Sequence, residues 1–158
     1  MKINLEVLSR KKKKEIHESM AKNYGIEINQ QHNFIKTGKY KLRIFTGNIS
    51  ESELNILNYT LKIDNIGLFF ANVKEKELRL SFDAAIMFGK KATKNVIKIN
   101  KDQVREWMQG KDIEILNIKF DSRFVLIKYK KDILGCGKVS GNRLLNFVPK
   151  ERRTNLIT

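Results

Sequence analysis

The residues best suited to binding chemistry lie near the C-terminus, between Leu134 and Arg153. Gly135 and Gly137 interrupt a strand-like run there, and glycine weakens a strand unless a ligand or another backbone must approach closely. Phosphate is one such ligand. The same stretch contains a single acidic residue and five basic residues, which are Lys138, Arg143, Lys150, Arg152 and Arg153. This density of positive charge is suited to binding a polyanion.

Two nucleotide-binding motifs do not fit this stretch. A Walker loop requires Ser or Thr after its Gly-Lys pair, whereas Gly137-Lys138 is followed by Val139. A dinucleotide fingerprint requires its third glycine at the position of Ser140, but Gly141 comes one residue later. The stretch is therefore either a binding edge for nucleic acid or a glycine-containing hairpin with a solvated basic tail.

Residues for catalysis or metal binding are sparse. His17 and His32 are far apart and have no neighbouring cysteine, so the spacing of a zinc site is absent and we expect no metal. Cys136 lies at an apolar hairpin position between two glycines, where an inert small residue is commoner than a nucleophile. These observations favour binding over catalysis.

The C-terminal stretch resembles the end of the PUA-type RNA-binding domain (pseudouridine synthase and archaeosine transglycosylase domain) of Sun-type RNA cytosine-5 methyltransferases. The matching residues are Leu134-Gly135, Gly137-Lys138, Gly141, Arg143-Leu144, Asn146, Pro149-Lys150 and Arg153. Upstream, the similarity includes Arg79-Leu80-Ser81, Ala84, Gly89 and the segment from Trp107 to Glu114, so that it covers roughly residues 66 to 153. The chain departs from the family pattern at Cys136, Asn142 and Leu145.

The resemblance implies an α+β fold with two domains. Residues 1–64 would form a small pre-PUA-like α+β domain, and residues 65–158 a PUA-like mixed β-barrel with short helices. It also implies a non-catalytic protein without a cofactor, which docks structured RNA, either tRNA or rRNA, in RNA modification or ribosome assembly. Its partners would be that RNA and an RNA-modifying enzyme or a ribosome-assembly protein.

The resemblance also implies which residues contact RNA. The expected contacts are Lys90, Lys91, Lys94, Gly135, Gly137, Lys138, Arg143, Lys150, Arg152 and Arg153. In this arrangement the two glycines let the protein backbone approach the ribose-phosphate, while the lysines flank one side and the arginines the other. Recognition would depend mainly on RNA shape and phosphate.

A small RNA-directed hydrolase of PUA-like fold is the alternative. Lys111 with Asp112 and Glu114, or Lys131 with Asp132, could pair a lysine with carboxylates. Such pairs are commoner in solvated turns than in active sites.

Composition agrees with a nucleic-acid partner. The 158 residues include 32 Lys and Arg against 17 Asp and Glu, a net charge of +15, which attracts nucleic acid or an anionic membrane over long range. No run approaches the roughly 18 apolar residues of a membrane span. A membrane-surface partner is not expected either, because the sequence shows no amphipathic helix with a large exposed apolar face. One cysteine allows no intrachain disulfide. We therefore expect a soluble, cytoplasmic protein.

Periodicity predicts the elements that position these residues. Ser9 caps a helix that runs to about Asn23, and Ser50 with Glu53 forms a capping box for a second helix. Residues 34–36 and 40–45 form one hairpin, and residues 66–74 and 78–82 a second hairpin whose sheet is assigned to the second domain. The polar residues 62–65 mark the domain boundary.

The remaining predicted elements surround the focal stretch. Ser81 or Asp83 begins a brief helix that ends at Gly89, and Asn100 with Gln103 caps another that contains Trp107 as a core residue. Residues 96–99, 123–130 and 133–139 are predicted strands.

Overall fold

A computed structural model describes residues 4–116, 119–120 and 122–154, and it confirms the α+β class. The helices are α1 (Arg10–Tyr24), α2 (Glu51–Thr60), α3 (Phe82–Phe88) and α4 (Lys101–Met108), with 3₁₀ turns at Gly89–Lys91 and Lys150–Arg152. The strands are β1 (Leu5–Val7), β2 (Asn33–Thr37), β3 (Lys41–Phe45), β4 (Leu68–Lys74), β5 (Glu77–Leu80), β6 (Val96–Lys98), β7 (Ile113–Glu114), β8 (Phe124–Tyr129), β9 (Asp132–Ser140) and β10 (Arg143–Asn146).

The first five strands form one antiparallel sheet in chain order, β1-β2-β3-β4-β5. Both predicted hairpins, β2–β3 and β4–β5, are present. The assignment of the second hairpin to the sheet of the C-terminal domain is wrong, because β4 pairs with β3, with Leu42 opposite Ala71. This pairing places Phe70 and Ala71 in the core beneath α1. The boundary at residues 62–65 stays a prediction.

The second sheet has the order β6-β8-β9-β10-β7 and is curled like part of a barrel. It is mixed, since β6 runs parallel to β8 while the other neighbours are antiparallel. The short strands β1, β7 and β10 were not predicted. They are two to four residues long, lengths at which alternation alone is a weak signal.

Side-chain caps begin the helices where the sequence predicts. The Ser9 hydroxyl accepts from the backbone N–H of Lys12 at the start of α1. Full capping boxes begin α2 at Ser50 and α4 at Asn100. Ser81 caps α3 and also donates to the Phe69 carbonyl, which ties the helix to β4. Each cap satisfies backbone N–H groups that a helix start leaves without partners.

One apolar core joins the two sheets. It contains side chains of α1, β2, β3, β4 and β5, and also Leu126, Ile133 and Cys136 of β8 and β9. Tyr24 of α1 lies at its centre, fully buried, and its hydroxyl donates to the Leu78 carbonyl at 3.1 Å. The two sheets are thus held together by a shared core.

A second core lies on the other side of the curled sheet and is centred on Trp107. The indole is fully buried, as predicted, and its Nε1 donates to the Leu134 carbonyl at 2.7 Å. This bond holds α4 against β9, since a buried indole N–H needs an acceptor.

Replacing Tyr24 with Phe tests the shared core. The change removes a hydroxyl that donates to a buried carbonyl, so we expect the free energy of unfolding to fall by about 1 kcal/mol. Urea unfolding followed by circular dichroism measures it. Tyr40→Phe is the matched control, because Tyr40 is 37% exposed and its stability effect should be near zero. Equal losses in the two variants would contradict the structure.

Candidate nucleic-acid interface

Helix α3 lies between two groups of the predicted RNA contacts, the lysines that follow it in the chain and Arg152 of the basic tail. It follows β5 directly and packs on β9, where the ring of Phe82 lies against Gly135. Its far end continues into the 3₁₀ turn at Gly89, which packs on Ile133 and Leu126. Ile86 and Met87 remain exposed on its outer side. One side of α3 is therefore fixed against β9, and the opposite side is open to solvent.

The lysine loop, residues 90–94, extends from the C-terminal end of α3. Lys90, Lys91 and Lys94 are all exposed, and within the described residues none of them is in an ion pair. The loop backbone is nevertheless anchored, because the N–H groups of Thr93 and Lys94 donate to the Tyr24 carbonyl at 2.9 and 3.2 Å. The backbone of the loop is thus fixed, while its three ammonium groups remain available to bind an anion.

The basic tail reaches the other end of α3. Arg152 donates to the Asp83 carboxylate at 2.9 Å in the first turn of the helix, and this ion pair brings the tail against α3. Lys150 is exposed beside it. Arg153 packs against Gly110 and donates to the Val148 carbonyl at 3.2 Å.

Arg143 lies elsewhere, on β10 where that strand pairs with β7. Its guanidinium donates to Asp112 at 2.9 Å, and the second oxygen of Asp112 accepts from the backbone N–H of Asn146 at 2.9 Å. Arg143 and Arg152 are therefore each paired with a carboxylate, whereas the lysine loop is not. The uncompensated charge is greatest at the loop.

The interpretation of Gly135 and Gly137 needs correction. Both are buried, so no phosphate reaches them in this structure. A Cβ at residue 137 would lie 2.8 Å from the Trp107 ring and 2.9 Å from Leu144, and one at residue 135 would lie 3.0 Å from Phe82. Gly135 also has a φ of +110°, which disfavours a side chain. Internal packing explains these glycines.

Lys138 faces a cleft rather than the surface around α3. The cleft has a volume of about 440 Å³ and lies between the β2–β3 turn, the β4–β5 hairpin and the adjoining ends of β8, β9 and β10. Its lining includes four residues that were not among the predicted RNA contacts, Arg79, Arg123, Phe124 and Phe147. One signal was present, because Arg79 alternates with the buried Leu78 and Leu80 and so faces away from the core.

Other candidate reactive groups have structural roles. Burial raises the pKa of the Cys136 thiol to about 12, in keeping with an inert residue. Both oxygens of Asp112 accept hydrogen bonds, and Lys131 lies in the turn between β8 and β9. Within residues 4–116, 119–120 and 122–154, no three His, Cys, Asp or Glu side chains cluster as metal ligands. That same part of the chain contains no helix with the length and hydrophobicity needed to cross a membrane.

The C-terminal part of the chain is similar to a known family of domains. Residues 94–154 match the family model described as the methyltransferase RsmF PUA domain. This segment resembles a PUA-type domain. The match confirms the resemblance seen in the sequence, and it includes β6 to β10, α4 and the basic tail.

Curated relatives extend the similarity upstream. A ribosomal RNA small subunit methyltransferase F from Aeromonas salmonicida is 32% identical over 91 residues, which are 58% of this chain and 19% of that protein. The protein of the same name from Vibrio cholerae (strain M66-2) is 25% identical over 143 residues, 90% of this chain and 29% of the relative. The chain thus matches less than a third of the length of these relatives.

Substituting Gly137 with Ala distinguishes packing from ligand access. The added Cβ overlaps Trp107 and Leu144, so we expect a loss of about 1 to 3 kcal/mol in the free energy of unfolding. Ser140→Ala, at the exposed end of the same strand, should change stability by less than about 0.5 kcal/mol. A stable Gly137→Ala variant that had lost affinity for RNA would restore the ligand-access interpretation.

Cys136 should be unreactive in the folded protein. With a pKa of about 12, roughly one thiol in ten thousand is ionised at pH 8. A chromogenic disulfide reagent should therefore react with no thiol in buffer and with one thiol per chain in denaturant. Rapid reaction of the native protein would show that the core around Tyr24 opens readily.

Proposed function

We propose that this chain binds structured RNA, specifically ribosomal RNA of the small subunit, through the surface around α3. We define this surface as the basic face, formed by Lys90, Lys91, Lys94, Lys150 and Arg152. The observation that most supports it is the lysine loop, with three exposed and unpaired ammonium groups on an anchored backbone. Fixed cations of this kind suit the phosphates of a folded RNA.

The choice of RNA rests on the relatives. They are methyltransferases of the small-subunit ribosomal RNA by name, and the family model that matches this chain is that of their PUA domain. The proposed role is to dock the RNA, without catalysis by this chain, for a modifying enzyme or a ribosome-assembly protein in the cytoplasm. Recognition then depends on RNA shape and phosphate position.

The contribution of the tail differs from that of the loop. Arg152 already contacts Asp83, and Arg143 already contacts Asp112, so each must share its donors between a carboxylate and the RNA. Arg152 positions the tail on α3, whereas Arg143 lies outside the basic face, on β10 beside β7. The lysine loop contributes most of the electrostatic attraction.

A matched pair of charge reversals tests the proposal. Lys90 and Lys91 changed together to Glu should lower affinity for a small-subunit rRNA fragment about ten- to a hundredfold, because phosphate contacts and counterion release are both lost. Changing Lys11 and Lys13 to Glu alters formal charge by the same four units at the start of α1, distant in sequence from α3, and should cost much less. Filter binding at several salt concentrations measures both.

Three results would contradict the proposal. Equal losses in the two variants would show that net charge alone attracts RNA, and a larger loss for the Lys11 and Lys13 variant would place the RNA on α1. A wild-type affinity that does not fall with salt would exclude phosphate-based binding, since each contact contributes a log-log slope of about 0.7 to 0.9. Arg143 and Arg152 are unsuited to this test, because their reversal would set Glu against Asp112 and Asp83.

A further inference from the structure

The cleft between the two sheets combines cations with aromatic rings. Its lining includes Tyr40 from the β2–β3 turn, Arg79 from β5, Arg123 and Phe124 at the start of β8, Lys138 of β9, and Phe147 after β10. Lys74 also lines it, and two carboxylates, Glu75 and Glu77, are present. Four cations thus outnumber two acids around three rings. Its volume of about 440 Å³ lies within the range of small-ligand sites, about 300 to 1,000 Å³.

Arg79 is the most informative residue of the cleft. Its guanidinium lies over the ring of Phe147, 4.3 Å from the ring centre, and the side chain is only partly exposed. Among the described residues it has no carboxylate partner and no hydrogen-bond acceptor, although it has five N–H donors. By contrast, Arg123 has a carboxylate partner, Glu77, at 3.6 Å. A partly buried guanidinium with open donors is suited to an anion or to a flat group that stacks on it.

The geometry points to a site for one unpaired nucleotide of the bound RNA, with its base stacked in the cleft and its phosphate at the cations. We infer that the base lies against the Arg79 and Phe147 stack or the ring of Tyr40, and that Lys138 and Arg123 meet the backbone. Bases that leave a helix commonly stack on aromatic rings and on guanidinium planes. This inference rests on the proposed function, because the nucleotide belongs to the same RNA.

The position of the cleft along the chain supports this occupant. Arg79 lies four residues before Asp83, which pairs with Arg152, and Phe147 lies five residues before Arg152. The chain therefore leads from two cleft residues, Arg79 and Phe147, within a few positions to the ion pair at the start of α3. The tail residues of the basic face, Lys150 and Arg152, are close in sequence to Phe147.

An acidic peptide fits the cleft less well. Its carboxylates could meet Arg79 and Lys138, but they provide no flat face for the rings of Tyr40 and Phe147. Glu75 and Glu77 would also oppose a run of acidic residues. A nucleotide brings only one or two phosphates close to these acids, so it is repelled less, and its base can stack on the rings.

The test compares two RNAs and three variants of the full chain. One RNA is a small-subunit rRNA hairpin with an unpaired loop, and the other is the same stem as a blunt duplex. Arg79→Gln and Tyr40→Ser alter the cleft, and Lys62→Gln is a charge-matched control for the first, at an exposed position after α2. Circular dichroism melting checks that each variant is folded.

We expect the wild-type protein to prefer the looped RNA over the duplex. Arg79→Gln should lower affinity for the looped RNA roughly tenfold and affinity for the duplex by less than about twofold. Tyr40→Ser should act in the same direction, and Lys62→Gln should affect the two RNAs equally and weakly. With 4-thiouridine in the loop, ultraviolet crosslinks should map to Tyr40 or Phe147.

The failures of the two proposals are distinguishable. Salt-dependent binding of both RNAs, without loop preference or with crosslinks only on the lysine loop, would overturn the cleft site and leave the basic face standing. No salt-dependent binding of either RNA would overturn both. Binding of a Glu-rich peptide that Arg79→Gln abolishes, in a protein that shows no loop preference, would overturn the nucleotide in favour of a protein partner.

Discussion

Burial of Tyr24 is the constraint on which the rest of the structure depends. Its ring fills the core between α1 and the two sheets, and its hydroxyl donates to Leu78 of β5. The carbonyl of the same residue accepts from Thr93 and Lys94, so one residue fixes both the shared core and the lysine loop. Gly25 follows with a φ of +65°, and a Cβ there would overlap Thr93. The C-terminal end of α1 thus packs closely against the lysine loop and hydrogen-bonds its backbone.

This anchoring explains how an exposed, highly basic loop keeps a defined shape. Lysines without acidic partners repel each other, and the anchored backbone opposes that repulsion. The arginines show the opposite arrangement, because Asp83 and Asp112 hold Arg152 and Arg143 in place. The lysines proposed to attract RNA and the ion-paired arginines that hold the protein together are therefore mostly different residues. In the cleft, Arg123 is paired with Glu77, whereas Arg79 has no carboxylate partner among the described residues.

Local features were predictable from the sequence, and long-range pairing was not. The caps at Ser9, Ser50 and Asn100 depend on residues within one helical turn, which the sequence shows directly. The membership of β4 in the first sheet depends instead on pairing with β3, and the apolar pattern of β4 would have suited either sheet. A strand pattern specifies which face is buried, not which neighbour it joins.

The predicted site depends on residues from distant parts of the chain. The structure places Arg152 against α3, and the lysine loop follows that helix directly, while their contact with RNA stays a prediction. Gly135 and Gly137 were assigned to phosphate because a glycine has the same appearance in a sequence whether a ligand or an indole occupies the adjacent space. The stack of Arg79 on Phe147 joins residues 68 positions apart, and no local pattern indicates such a contact.

Selection of small-subunit ribosomal RNA by the anchored basic face is tested most directly by ultraviolet crosslinking of the chain in living cells, followed by sequencing of the attached RNA. We expect reads concentrated at one structured site of the small-subunit RNA, with the crosslinked peptides in the lysine loop, the tail or the cleft. Reads spread over cellular RNAs in proportion to their abundance, or concentrated on another RNA class, would contradict it.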